Sequence, residues 1–309
     1  MAVYLVCEGP ADGLDVRVLD LIITQKLGKT VQIIPAEGDS SLGSLRRWLE
    51  ERSRSQHTDG TWSNPHDRAY AIEDRNFQLA TRVEEDWQKP NKKRWYWRRH
   101  EIENYLLDPR LVAHAFQEIQ KVPIAQNFTE QLPNTESKAL TMLQQLASPM
   151  LEDYAGQLAC QQLNFYKGDT ANTNLDCPQR PSGFVPSPSS PYPGQTEWLN
   201  YLQIECQRLK AAGQQLSNDS KFDLPNIEAE YDQHLAEINK PEFLEQQFLV
   251  DMGGHELMSA FLRHIRQDIG MTRLTYAALT DELIKALDAL YQPAFFEPDD
   301  FSELVDKLI

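Results

Sequence analysis

The amino-acid sequence predicts an α/β protein in which a Rossmann-like parallel sheet is followed by an all-helical C-terminal region. Over the first third of its 309 residues, short apolar β-prone segments alternate with amphipathic segments, which is typical of parallel α/β sheets. Beyond Pro109 only helical patterns follow. We therefore expect an α/β domain over residues 1–115 and an acidic helical region over residues 116–309.

Four segments have the composition of β-strands, and a turn or a helical pattern follows each one. Ala2 to Cys7 is an unbroken apolar run, as expected for a strand that is buried on both faces of a parallel sheet. The other predicted strands are Thr30 to Pro35, Arg68 to Ile72 and Arg94 to Arg98. The intervening helices are predicted over Leu14 to Leu27, Leu42 to Arg54 and Phe77 to Trp87.

The helical region contains seven predicted helices and one interruption. The helices are predicted over Pro109 to Gln120, Glu136 to Phe165 with a break at Pro149, Glu197 to Leu216, Pro225 to Asn239, Glu256 to Ile269, Leu274 to Tyr291, and Asp300 to Leu308. Residues 168–194 contain six prolines, too many for regular structure, so this segment is predicted to be a long loop.

Charge is distributed unevenly along the chain. The formal net charge is −16, but the first 115 residues contain 17 basic and 18 acidic residues, whereas the remainder contains 13 and 28. A near-neutral first third can meet a phosphate backbone through a local basic patch, even though the rest of the chain is acidic.

Cysteine spacing and hydropathy indicate the class of protein. Cys7, Cys160, Cys177 and Cys206 are widely separated, which argues against structural zinc and against a disulfide framework, and favours a cytoplasmic localisation. There is no charged-then-apolar leader, and no apolar run reaches the roughly 20 residues that span a bilayer. We therefore expect no association with a membrane.

Acidic residues follow three of the four predicted strands. Glu8 follows the first strand, Asp74 the third, and Glu101 and Glu103 the fourth. The carboxyl ends of parallel strands meet at one edge of the sheet, and converging carboxylates require a positive charge between them. Oxygen ligands without a His/Cys cluster favour Mg²⁺ or Mn²⁺. Glu101 and Glu103 share a face if their segment is extended, whereas only one of them faces the site if it is helical.

Several acids in this part of the sequence also have an ordinary structural interpretation. Asp12 and Asp15 lie near a predicted helix start, where acids stabilise the helix dipole by about 0.3–1 kcal/mol. Glu101 and Glu103 can be plain surface charges.

The segment from Lys89 to Arg99 contains six basic residues, three aromatic residues and no acid. It is either an edge strand that its charges protect or a strip that contacts nucleic-acid phosphates. The candidate phosphate ligands are Lys92, Lys93, Arg94, Arg98 and Arg99. Trp95 and Trp97 lie on one face of the predicted strand, and an exposed pair can stack on unpaired bases.

Three motifs together resemble a Toprim domain: Glu8-Gly9-x-x-Asp12, the acidic motif at Asp74, and Arg98-x-His100-Glu101-Ile102-Glu103-Asn104-Tyr105-Leu106-Leu107. The similarity is greatest to the variant in OLD-type nucleases, and within it to stand-alone Toprim proteins that include the effector of the PARIS anti-phage system. It covers roughly residues 3–109. A later segment, Gly253 to Leu257, is similar to a Gly-Lys-acid-Leu segment of the same family.

The resemblance implies roles for individual residues. Glu8 corresponds to the invariant Toprim acid, a metal ligand or general base, and Asp74 to the first aspartate of the family's D-x-D motif. Asn76 stands in place of the second aspartate, which weakens the case for two metal ions. The catalytic residues implied are Glu8, Asp74, Glu101 and Glu103, and the implied ligands of Mg²⁺ or Mn²⁺ are Glu8, Asp12, Asp74, Asn76 and Glu103.

The resemblance also implies an activity. It suggests a metal-dependent nuclease that hydrolyses phosphodiester bonds of DNA or RNA, as an anti-phage defence effector. A separate ABC-type ATPase is the implied partner, since the chain has no G-x-x-x-x-G-K-[S/T] motif. The alternative is a catalytically degenerate Toprim domain that binds nucleic acid or a partner protein.

Overall fold

A computed structural model describes residues 2–54, 58, 60–61, 67–75, 78, 80–167, 180–182, 184–187, 191–212 and 219–308. Asn76 and most of the proline-rich segment at 168–194 lie outside the described residues.

Four parallel strands form the sheet, in the order β2-β1-β3-β4. They are β1 (Val3–Cys7), β2 (Gln32–Pro35), β3 (Arg68–Glu73) and β4 (Arg94–Tyr96). Leu5, Val6 and Cys7 of the central strand β1 are fully buried, which explains its unbroken apolar run. The predicted parallel α/β sheet is therefore confirmed.

Most of the helices follow the predicted segments closely, whereas the sequence predicts no helix at Ile102–Leu106 or at Phe248–Asp251. They are α1 (Leu14–Leu19), α2 (Asp39–Arg52), α3 (Ala80–Gln88), α4 (Ile102–Leu106), α5 (Pro109–Ile119), α6 (Glu136–Ala147), α7 (Leu151–Lys167), α8 (Gln195–Ala212), α9 (Leu224–Ile238), α10 (Phe248–Asp251), α11 (Gly254–Gln267), α12 (Tyr276–Leu290) and α13 (Asp300–Leu308). A π-helical segment (Asp20–Lys26) continues α1 and another (Phe243–Gln247) precedes α10, and 3₁₀ turns occur at Ala125–Phe128, Ser148–Met150 and Ser220–Phe222.

The chain divides into two compact units. The first contains residues 1–76, 80–141 and 253–309, and the second contains residues 77–79 and 142–252. This grouping differs from the predicted boundary near residue 115, because α11, α12 and α13 belong to the same unit as the sheet.

Aromatic packing explains why the last helices belong to the unit that contains the sheet. Phe301 of α13 packs 5.2 Å from Trp97 and 4.9 Å from Tyr105, measured between ring centroids. Phe261 of α11 lies edge-on to Phe116 of α5 at 5.8 Å. These side chains are at most 2% exposed, so their burial stabilises the unit by about 1.5–3 kcal/mol each.

The second unit is a small helical bundle in which α7 packs against α8 and α9. Gly156 lies directly against the ring of Trp198, where a Cβ atom would overlap it, and the Trp198 indole N–H donates to Asp153 at 2.8 Å. Cys160 of α7 forms a disulfide, a bond that the wide spacing of the cysteines did not indicate. Cys7 and Cys206 are free thiols.

None of the helices in the described ranges is both long enough and apolar enough to span a membrane.

Candidate functional site

The turn after β1 brings Glu8 into contact with Asp74. Cys7 of β1 pairs with Ile72 of β3, so these adjacent strands end almost level with each other. An Oε atom of Glu8 accepts a hydrogen bond from the Asp74 backbone N–H at 3.1 Å. The carboxyl edge of the central strand pair therefore holds two acids from distant parts of the sequence.

Asp15 is a third acid at this edge, and its position depends on Gly9. Gly9 has a φ of +88°, and a Cβ atom there would lie 3.2 Å from an Oδ atom of Asp15. The carboxylate of Asp15 thus occupies the space above the glycine. Asp12 is exposed in the preceding turn, and the largest electrostatic contributions to the acids at this edge do not come from it.

The sequence predicts for Asp15 only a role at the helix dipole, not a place in the site. It does lie in the first turn of α1. The residue in the sequence that points to a neighbour such as Asp15 is Gly9, since a glycine directly after a strand-ending acid indicates a close approach by another group.

Glu101 and Glu103 approach the same edge from the start of α4. Glu101 lies just before the helix with extended backbone angles, whereas Glu103 is in the first turn. An Oδ of Asn104 accepts from the Glu101 backbone N–H at 2.9 Å and fixes this geometry. Neither of the two predicted alternatives applies to the whole segment, because Glu101 is extended and precedes the helix whereas Glu103 is helical.

Residues of α11 and α12 hold these two glutamates in place. The His255 backbone N–H donates to Glu101 at 2.6 Å, and the Tyr276 hydroxyl donates to Glu103 at 3.0 Å. The His255 Nδ1 atom lies 3.5 Å from an Oε atom of Glu103. In the sequence, His255 is indicated only by the resemblance of its segment, and nothing points to Tyr276.

We name Glu8, Asp15, Asp74, Glu101 and Glu103 the acid cluster. Burial, followed by repulsion from Glu103 and Glu8, raises the pKa of Asp15 to about 7. Burial, followed by repulsion from Asp15 and Glu8, raises the pKa of Asp74 well above its usual value. Like charges that converge in a partly buried site hold protons when no cation is present.

Two histidines also affect the pKa values of the cluster. Burial alone would raise the pKa of Glu101, but interactions with His100 and the His255 backbone outweigh it, so the pKa is lowered. The hydrogen bond to Glu103 raises the pKa of His255, whose side chain is 61% exposed. The cluster therefore combines acids that retain protons with an acid that stays ionised.

The donor set of the cluster fits a hard divalent cation in its chemistry. All five donors are carboxylates, and the Asp74 Oδ1 atom is buried without a hydrogen-bond partner in the described structure. Among the described residues, no three His, Cys, Asp or Glu side chains are grouped closely enough to hold one ion. Mg²⁺ is usually bound through one or two carboxylates, with water or substrate phosphate as the other ligands. Glu8 and Asp74 can supply these two carboxylates.

Strand alternation separates Asp74 from the preceding acid. Glu73 is 2% exposed and forms an ion pair with Arg94, so its charge is compensated away from the acid cluster. Asn76, the remaining implied ligand, is outside the described residues.

The basic segment is the edge of the sheet. Strand β4 is one of the two outermost strands, and the half-buried lysines beside it pair with acids: Lys92 with Asp86 and Lys93 with Glu50. This arrangement favours the protected-edge interpretation.

The other predicted phosphate ligands of this segment have structural contacts. Arg98 is 11% exposed and binds the fully buried Asp300 at 2.8 Å. Arg99 is 7% exposed, donates to the Asn104 carbonyl at 3.1 Å and lies over the ring of Tyr105.

Trp95 and Trp97 are both in the core, although β4 ends at Tyr96, between them. Both are at most 1% exposed. The hypothesis that they stack on unpaired bases is therefore wrong.

A comparison of the sequence with protein-family models and with curated proteins found no match in either set.

Proposed function

We propose that the acid cluster binds Mg²⁺ or Mn²⁺ and hydrolyses phosphodiester bonds in DNA or RNA, as a Toprim-like nuclease. The observation that supports this proposal is that five acids, which lie at the ends of β1 and β3 and at the starts of α1 and α4, interact electrostatically at the carboxyl edge of the sheet. Burial, followed by repulsion from the neighbouring acids, raises the pKa of Asp15 and of Asp74. Such a site is unfavourable unless a cation compensates it, and a cation site at this edge suits a phosphate substrate.

The chain supplies binding and proton transfer for this reaction. A divalent ion, when bound, polarises a phosphoryl oxygen of the substrate. Glu8 and Asp74 would hold the ion, and Asp15, Glu101 and Glu103 would orient it or accept a proton from the attacking water.

His255 is the proton donor that we assign to the leaving oxygen. It is exposed and lies beside Glu103, which raises its pKa. Water adds its oxygen to phosphorus, the bond from phosphorus to the leaving oxygen breaks, and that oxygen takes the proton.

Only the resemblance supports the proposals of a defence role and of an ATPase partner. The same resemblance supports a second candidate function, a degenerate Toprim domain that binds nucleic acid or a partner. The residue that favours this alternative is Asn76, which replaces an aspartate of the family's motif. Binding of divalent metal by the purified protein distinguishes the two functions.

Cleavage of labelled DNA and RNA in Mg²⁺ or Mn²⁺ tests the proposal. Glu8→Gln keeps the shape of the side chain and removes its charge, so we expect cleavage to be lost while thermal unfolding stays cooperative. Glu51→Gln, an exposed residue of α2, is the matched control and should cleave like wild type. A Glu8→Gln protein as active as wild type would refute the proposal.

A further inference from the structure

The helix that holds the acid cluster also has an exposed basic face. Arg263 and Arg266 of α11 are both exposed. They border a surface cavity of about 450 Å³ whose other polar lining residues are Ser259, Gln267, Thr272 and Tyr276. The cavity therefore combines two guanidinium groups with hydroxyl and amide groups, which are the donors that phosphate oxygens accept from.

These two arginines differ from the basic residues of the sheet edge. In the described parts of the chain, neither Arg263 nor Arg266 has an ion pair or a side-chain hydrogen bond, whereas Lys92 and Lys93 both pair with acids. The acid that follows the helix, Asp268, is paired with His264 at 2.7 Å. An exposed guanidinium without a carboxylate partner is available to bind phosphate in a bidentate manner.

Helical periodicity connects this basic face to the acid cluster. His255, Ser259, Arg263 and Arg266 are three or four residues apart, so they lie along one side of α11. At a rise of about 1.5 Å per residue, Arg263 lies about 12 Å and Arg266 about 16 Å beyond His255 along the axis. Tyr276 lines the cavity and also donates to Glu103, so the cavity and the cluster share a residue.

We infer that this face of α11, from His255 to Arg266, binds the phosphate backbone of a nucleic-acid strand whose reacting bond lies at the acid cluster. The inference rests on the proposed function and deepens it, because it identifies the surface that recognises the substrate. A polyanion that approaches five carboxylates needs nearby cations to offset their repulsion. Arg263 and Arg266 supply them without losing an ion pair of the fold.

Binding of a fluorescent oligothymidylate by the full-length protein in EDTA tests this inference separately from catalysis. We expect the double variant R263A/R266A to bind more weakly than wild type. Its plot of log affinity against log salt should be shallower by about 1.4, since each phosphate contact contributes about 0.7 on a single strand. R263K/R266K keeps both charges and should retain most of the slope.

The matched control is R47A/R52A, which removes two exposed arginines from α2. It should keep both the affinity and the salt slope of wild type. All variants should unfold at the temperature of wild type, which shows that any effect is not one of folding.

Three results would overturn the inference: R263A/R266A that binds like wild type, equal losses in both alanine variants, or no binding by wild type. Metal-dependent cleavage by wild type together with unchanged binding by R263A/R266A would reject this surface but leave the proposed nuclease standing. Binding that depends on Arg263 and Arg266, without cleavage in any metal, would reject the nuclease and keep the surface.

Discussion

At the scale of residues, Asp12 and Asp15 show how neighbouring acids can differ. Asp12 is exposed in a turn, whereas Asp15 is partly buried above Gly9 and belongs to the acid cluster. The resemblance of Glu8-Gly9-x-x-Asp12 to the Toprim motif implies that Asp12 is a metal ligand. Pattern alone, however, does not show which acid turns inward. The structure makes Asp15 the stronger candidate.

The substitution Asp15→Asn separates these two acids experimentally. It removes a charge that its neighbours repel, so we expect the metal-free protein to unfold at a higher temperature than wild type at slightly alkaline pH. Metal-dependent cleavage should fall at the same time. Asp12→Asn is the control and should change neither quantity. Loss of activity in Asp12→Asn with normal activity in Asp15→Asn would reverse the assignment.

The basic segment provides a second prediction at this scale. Arg98→Ala removes the ion-pair partner of the fully buried Asp300 and leaves it with the hydrogen bonds from the backbone N–H of residue 98 and from the Tyr105 hydroxyl. Loss of such a partner typically costs about 3–5 kcal/mol of unfolding free energy. Lys92→Ala breaks a more exposed pair with Asp86 and should cost at most about 1 kcal/mol. Urea denaturation of the two variants measures this difference. Equal effects would show that the Arg98 ion pairs are not structural.

At the scale of elements, the site depends on the approach of α11 to α4. Gly254 begins α11 directly against Asn104, where a Cβ atom would lie 2.8 Å from the Asn104 backbone nitrogen. This contact places His255 beside Glu101 and Glu103. Gly254 therefore has a packing role at the start of the helix.

Substituting Gly254 with Ala should disturb this approach. The added methyl group forces α11 away from α4, so we expect a loss of about 1–3 kcal/mol in unfolding free energy and lower cleavage activity. Gly43→Ala is the matched control, because a Cβ atom there meets only Arg94, at 3.5 Å. Within helix α2 this change should stabilise the protein by about 0.5–1 kcal/mol. A Gly254→Ala protein that is as stable and active as wild type would contradict the packing role.

Local patterns predicted most elements well, because strand and helix periodicity is a property of neighbouring residues. The predicted helix over Glu256 to Ile269 corresponds to α11 (Gly254–Gln267), and the predicted break at Pro149 falls in the 3₁₀ turn between α6 and α7. The pairing of His255 with Glu101 could not be predicted in this way, since 154 positions separate them. The burial of Trp97 likewise depends on Phe301 of α13, which comes much later in the sequence.

At the scale of the whole molecule, the acid cluster makes stability depend on pH. The pKa of Asp15 is about 7 in the folded protein and near 3.9 in an unfolded chain. Between these values the folded state binds more protons, so this group's contribution to stability is lost as pH rises through about 7. His255, whose pKa is also raised, acts in the same direction. The pKa of Glu101 is lowered, so its contribution to stability increases with pH instead. That contribution no longer changes above about pH 5.

We therefore expect the unfolding free energy in EDTA to fall between about pH 5 and pH 8, by at most about 1.4 kcal/mol per pH unit for each proton released. Urea denaturation across this range measures it. Asp15→Asn should flatten the dependence. A wild-type stability that rises over this range, or a slope that Asp15→Asn leaves unchanged, would show that the carboxylates are not coupled as described.

The central claim is that the acid cluster binds a divalent cation through Glu8 and Asp74. Anomalous diffraction from crystals soaked in Mn²⁺ tests it most directly. We expect a manganese peak about 2.1 Å from carboxylate oxygens of both residues, and no peak there in crystals of Glu8→Gln. Wild-type crystals with manganese bound only elsewhere, or with no manganese at the cluster under saturating Mn²⁺, would contradict the claim.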